Sequence, residues 1–104
     1  MENLIPQDWS VEVMTRGRDG NIVYHENSCQ ASFYWEFGGR DVIAIIHGGP
    51  ASEWNGKYPW AANRRDEVLE RVIKEVIRQK ARTCIASVDE ESGEILLRNQ
   101  ERAG

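Results

Sequence analysis

The sequence predicts an α+β domain: a single antiparallel sheet of about six strands in the order ββββ-α-ββ, with one long amphipathic helix packed on one face. Three observations predict it. Apolar residues alternate with period two in several short segments, the connections between those segments are short and rich in Gly, Asp and Asn, and one segment repeats its apolar residues with a helical period. Period-two alternation marks a strand that buries one face. Short connections make consecutive strands antiparallel neighbours.

The first strand is carried by Trp9, Val11 and Val13, which alternate with Ser10, Glu12 and Met14. The turn Gly17-Arg18-Asp19-Gly20-Asn21 leads into a short second strand, Ile22 to His25. The third strand alternates most regularly. Cys29, Ala31, Phe33, Trp35 and Phe37 fall on one face, and Gln30, Ser32, Tyr34 and Glu36 on the other. Gly38-Gly39 separates it from the β-branched run Val42 to Ile46, and a two-residue Gly-Gly loop predicts a tight hairpin. That register sets Trp35 opposite Val42, Phe33 opposite Ala44 and Ala31 opposite Ile46, with Glu36 against Asp41 as a like-charge pair.

The segment HGGPASEWNGKYPW, from His47 to Trp60, is broken by glycine and proline and reads as a long connection carrying three large aromatics. The helix follows, from about Arg64 to Ala81. Val68, Leu69, Val72, Ile73, Val76 and Ile77 form one apolar stripe at the 3.6 period. Asn63 is the expected N-cap, Asp66 and Glu67 suit the positive end of the helix dipole, and Arg78, Lys80 and Arg82 suit the other end. A start at Pro59 or Trp60 is the competing boundary. The basic cluster of residues 64–82 reads as solvated helix surface, with Glu67/Arg71, Glu70/Lys74 and Arg71/Glu75 one turn apart. Thr83 to Asp89 and Glu94 to Arg98 then flank the turn Glu90-Glu91-Ser92-Gly93, with Cys84, Ala86 and Val88 sharing a face and Ile95 and Leu97 inward. Residues 1–98 are expected to form one domain, and 99–104 a polar tail.

Composition narrows the function. The chain has 104 residues, enough for one modest core. Its 13 Lys and Arg against 17 Asp and Glu give a net charge of -4, the wrong sign for a general nucleic-acid binder. The charge is uneven: residues 1–59 hold eight acids and four bases, and residues 60–104 hold nine of each. The N-terminus lacks the basic start and apolar run of a secretory signal, and the longest apolar run is far too short for a membrane span, so a cytoplasmic location is expected. Cys29 and Cys84 show no CxxC spacing and share their strand faces with core residues, which predicts inert reduced thiols.

Catalytic patterns are missing their partners. His47-Gly48-Gly49 matches part of the oxyanion loop of lipases and esterases, but no G-x-S-x-G nucleophile elbow accompanies it. No Gly-rich phosphate loop precedes the helix. No pair of His or Cys has metal-ligand spacing, so neither a metal nor a cofactor is expected. The chain is therefore expected to be non-enzymatic.

The connection supplies the candidate site. Trp54 and Tyr58, beside Asn55 and Gly56, are expected at an exposed turn, rimmed by Glu53 and Lys57 and flanked by Trp60 and His47, in the composition of an interaction hot spot. A compact acidic domain with such a loop fits a protein-binding module that works as a monomer or homodimer. Small bacterial immunity proteins, which neutralise a toxin by covering its active surface, share this general character, although no motif carries a family assignment. For such an inhibitor, acids such as Glu26, Glu36, Asp41 and Glu53 would meet a basic toxin domain. Two alternatives accompany this reading: a small-molecule or enzymatic cleft between the 47–60 loop and the sheet, bounded by His47, Trp54 and Tyr58, and an assembly subunit pairing through an edge strand, Glu94 to Arg98 or Trp9 to Arg16.

Overall fold

A computed structural model describes residues 8–100; the readings placed on 1–7 and 101–104 lie outside the described residues. The strands are β1 (Trp9–Arg16), β2 (Asp19–Glu26), β3 (Cys29–Phe37), β4 (Val42–His47), β5 (Cys84–Val88) and β6 (Glu94–Asn99). The helices are α1 (Ala51–Lys57) and α2 (Arg65–Lys80), with a 3-10 turn at Pro59–Ala61 between them. All pairings are antiparallel and the sheet order is β1-β2-β3-β4-β6-β5. The expected α+β architecture is therefore the observed one. β6 lies inside the sheet between β4 and β5, so of the two strands expected at an edge, only Trp9 to Arg16 is there.

α2 crosses one face of the sheet and buries Val68, Leu69, Val72 and Val76 against Ile22, Tyr24, Ile46, Ile95 and Leu97. The period-two face chosen for each strand is the face that packs. Ala31, Phe33 and Trp35 are buried while Tyr34 on the same strand is exposed. Removing such side chains from water is the main favourable contribution to folding, at about 25 cal/mol for each Å² of apolar surface.

The β3–β4 register differs from the expected one. Trp35 faces Ile46 and Phe37 faces Ala44, a displacement of four residues toward a longer connection. The cause is local. Val42 N–H donates to Gly39 O at 3.0 Å, Gly38 N–H donates to Ile43 O at 3.1 Å, and Arg40 adopts a left-handed φ of 58°, so the turn consumes residues assigned to the strand. Because four is even, no side chain changes face. Glu36 consequently pairs with Ile45, and Asp41 forms an ion pair with Arg98 at 3.4 Å, so the expected Glu36/Asp41 contact does not exist.

The start of α2 is also corrected. Asn63 is not the N-cap, a position taken by Arg64; Asn63 sits at a φ of 64° and exchanges hydrogen bonds with Asn55. Pro59–Ala61 is a separate turn and not the first turn of the helix. Nor is the basic cluster uniformly solvated. Arg64 bridges Glu26 and Glu67, Arg71 donates to the Tyr24 hydroxyl at 2.7 Å, and Arg65 is buried, donating to the carbonyls of Gly49 and Glu90. Glu67/Arg71 and Glu70/Lys74 pair as expected, but Glu75 is taken by Arg78 instead of Arg71. These arginines clamp the helix start between β2 and the β5–β6 turn, which is why the sequence places so many there.

Candidate functional site

The aromatic connection is folded inward. Residues 51–57 form α1, and Trp54 and Tyr58, one helical turn apart, both reach the core, with 3% and 8% of their surface exposed. Trp54 stacks on Phe33 at 6.2 Å, and its indole N–H donates to Ala61 O at 2.8 Å. The Tyr58 hydroxyl donates to Ser32 O at 3.3 Å. Trp60 is half-buried and stacks on Tyr24, whose other neighbour is Trp9. The expectation that Trp54 and Tyr58 form an exposed patch is thereby overturned. Trp54 and Tyr58 both pack on Phe33, and large aromatics with a polar tip can fill the core there while satisfying their one donor. The i, i+4 spacing of Trp54 and Tyr58 after Pro50, with Lys57 as the basic residue of the last turn, is the signal that could have found this helix.

The remaining candidates divide between two surfaces. Glu53 and Lys57 are exposed on α1, with the Lys57 ammonium 5.6 Å from the Tyr58 ring centroid. His47 alternates with buried Ile46 and so belongs to the opposite face of the sheet. The cleft expected between His47, Trp54 and Tyr58 is therefore not formed, because the sheet itself separates them. The crevice lined by Trp54 and Tyr58 has a volume of about 20 Å³, too small for a ligand.

Around His47 the sheet face carries a different cluster. The His47 Nε2 lies 2.9 Å from a Glu36 carboxylate oxygen, and Nδ1 lies 3.9 Å from Glu94. The Tyr34 ring stacks on the imidazole at 5.6 Å, and the Tyr34 hydroxyl donates to Asp19 at 2.7 Å. That hydrogen bond to a carboxylate, followed by desolvation, holds the Tyr34 hydroxyl above its ordinary pKa. The imidazole therefore lies between two carboxylates, Glu36 on β3 and Glu94 on β6. Sequence reasoning singled out His47 but missed Tyr34 and Glu94 as its neighbours, since their proximity depends on the β3–β4 and β4–β6 registers. Of the acids expected at a partner surface, Glu26 is held by Arg64 and Arg71, and Asp41 by Arg98, whereas Glu36 lies on the open sheet face and Glu53 on α1.

No described element covers that face. Glu12, Asp19, Glu36 and Glu94 on it outnumber Arg16 and Arg98, and Tyr34, Met14 and Ile85 are exposed there. Both cysteines are free; burial pushes the Cys84 thiol above its ordinary pKa, as an inert core thiol requires. Among the described residues, no group of three or more His, Cys, Asp and Glu side chains is placed to hold a metal ion, and no helix is long and apolar enough to cross a membrane.

Fold and surface together define a two-layer α+β protein with one sheet face packed and the other open. Compared with protein-family models, curated proteins and solved structures, the chain matches none.

Proposed function

We propose that the protein is a non-enzymatic binding module for another protein, an immunity-type inhibitor that covers the basic active surface of a toxin domain with the open face of its sheet. The observation that supports this reading is the acidic surplus on an uncovered sheet face around the Tyr34–His47–Glu36 cluster. An uncovered strand array with an exposed tyrosine suits a protein partner better than a small molecule, and a carboxylate surplus steers a basic one toward it. Glu53 and Lys57 on α1 lie across the sheet from this surface and serve as the control.

The test is capture from the native cell extract at low salt by the wild type, by Glu36→Lys/Glu94→Lys and by Glu53→Lys/Lys57→Glu. The expected result is a stoichiometric basic protein whose toxicity falls on binding, retained by the α1 variant and lost by the sheet variant at an unchanged Tm. Retention by the sheet variant, or loss by the α1 variant alone, would overturn this assignment.

A further inference from the structure

We infer that the protein has a second site on the packed side of the sheet, for a small amphipathic anion: one apolar chain or ring bearing a carboxylate. α2 ends at Lys80, and beyond Val76 the inner face of the first four strands is not roofed by the helix. A groove of about 240 Å³ remains there. Its volume lies just below the usual range of ligand pockets, about 300–1,000 Å³, and suits a single short chain or ring.

The floor of the groove is built and held. Trp35, Ile46 and Leu97 line it and are buried, while Phe37 and Ile43 at its lip stay 47% and 39% exposed. The Trp35 indole N–H is already satisfied by Met14 O at 3.1 Å, so the surface it offers is apolar. Gly20 is what admits the indole at this position: a Cβ there would stand 2.8 Å from Trp35 Nε1 and collide with the Met14 carbonyl.

Charge selects the ligand. No carboxylate lines the groove, although the chain as a whole carries -4. Lys80 does line it and has no ion pair among the described residues, and the Arg18 guanidinium stands 5.7 Å from the centroid of Phe37 at the lip. The negative end of the α2 dipole is answered locally by Arg78, Lys80 and Arg82. An apolar body on the Trp35 floor would leave its carboxylate within reach of the Lys80 ammonium and the Thr15 hydroxyl, the two polar side chains of the lining.

Octanoate and octylammonium are suitable probes, with binding read from the Trp35 indole N–H resonance. Octanoate is expected to shift that resonance saturably and to bind at least about five-fold more tightly than octylammonium, the ratio for one partly solvated charge contact. Lys80→Glu, at an exposed helix end, should invert the preference while the fold is retained. Equal affinity for both probes, an unaltered preference in Lys80→Glu, or a Trp35 resonance that octanoate does not move would overturn the proposal. So would a concentration-dependent dimer in sedimentation whose dissociation moves the same resonance, because a second copy would then occupy the groove. Octanoate binding should persist in Glu36→Lys/Glu94→Lys, which separates this site from the proposed protein surface.

Discussion

The indole N–H of Trp54 donates to the carbonyl oxygen of Ala61 at 2.8 Å, and this bond locks α1 onto the turn that precedes α2. Trp54 is thus an interior residue with its one donor satisfied. Trp54→Ala is expected to cost about 3–5 kcal/mol, since it removes a large buried side chain and leaves a cavity against Phe33. Trp54→Phe, which keeps most of the packing and removes one of the two donors to Ala61 O while the Arg64 N–H remains bonded to it at 2.9 Å, should cost about 0.5–1.5 kcal/mol. Urea unfolding of both variants measures these values, and an unchanged midpoint for Trp54→Ala would return the residue to the surface.

Val72 is fully buried at the centre of the α2 stripe. Val72→Asp places a charge in this apolar core, and the expected outcome is loss of the cooperative fold, by several kcal/mol. Far-UV circular dichroism and thermal melting decide this. A variant as stable as the wild type would contradict the orientation of α2.

Acid sensitivity should be concentrated at Glu26. Hydrogen bonding from Arg64 holds its carboxyl below the ordinary value, against an opposing effect of burial, with further help from the Tyr24 hydroxyl. A lowered folded-state pKa contributes stability that is present above the unfolded value of about 4.3 and is lost as pH falls through the lower folded value. Glu67 and Glu75 are lowered by Arg64 and Arg78 respectively, but solvent screens the exposed Glu67/Arg64 and Glu75/Arg78 contacts. The urea midpoint is therefore expected to be nearly flat between about pH 5 and 7 and to fall below about pH 4. Glu26→Gln should lower stability at pH 7 and flatten the acid limb; an acid limb as steep as that of the wild type would place the sensitivity elsewhere.

Gly93 sits at a φ of 77° in the β5–β6 turn, directly against the backbone of Gly49, and its carbonyl accepts from Gly48 N–H at 2.8 Å. Gly93→Ala combines left-handed strain with a backbone collision, and a loss of about 2 kcal/mol or more is expected. Thermal denaturation gives the value. Gly56→Ala, in α1 with open space around it, is the comparison and should be neutral or slightly stabilising.

Much of the fold was legible because short-range periodicity reports which face of an element is apolar. The stripe from Val68 to Ile77 could form only an amphipathic helix, and the alternation from Cys29 to Phe37 only a half-buried strand. The candidate site was less legible. Whether Trp54 is exposed depends on whether it packs on Phe33, and nothing within the segment from Gly48 to Trp60 encodes that contact. The neighbours of His47 are likewise set by register across three strands, which the Gly39–Val42 turn shifted by four residues.

What the sequence by itself determined is the number and kind of most elements, the faces they bury and the antiparallel hairpins between near neighbours, because these follow from side-chain periodicity and loop length. Only the tertiary structure decided the insertion of β6 between β4 and β5, the inward fold of Trp54 and Tyr58, the clamp of Arg64, Arg65 and Arg71, and the open acidic face around Tyr34 and His47. Each depends on contacts between residues far apart in the chain, whose energies are fixed by the shape and charge left over once the elements have packed.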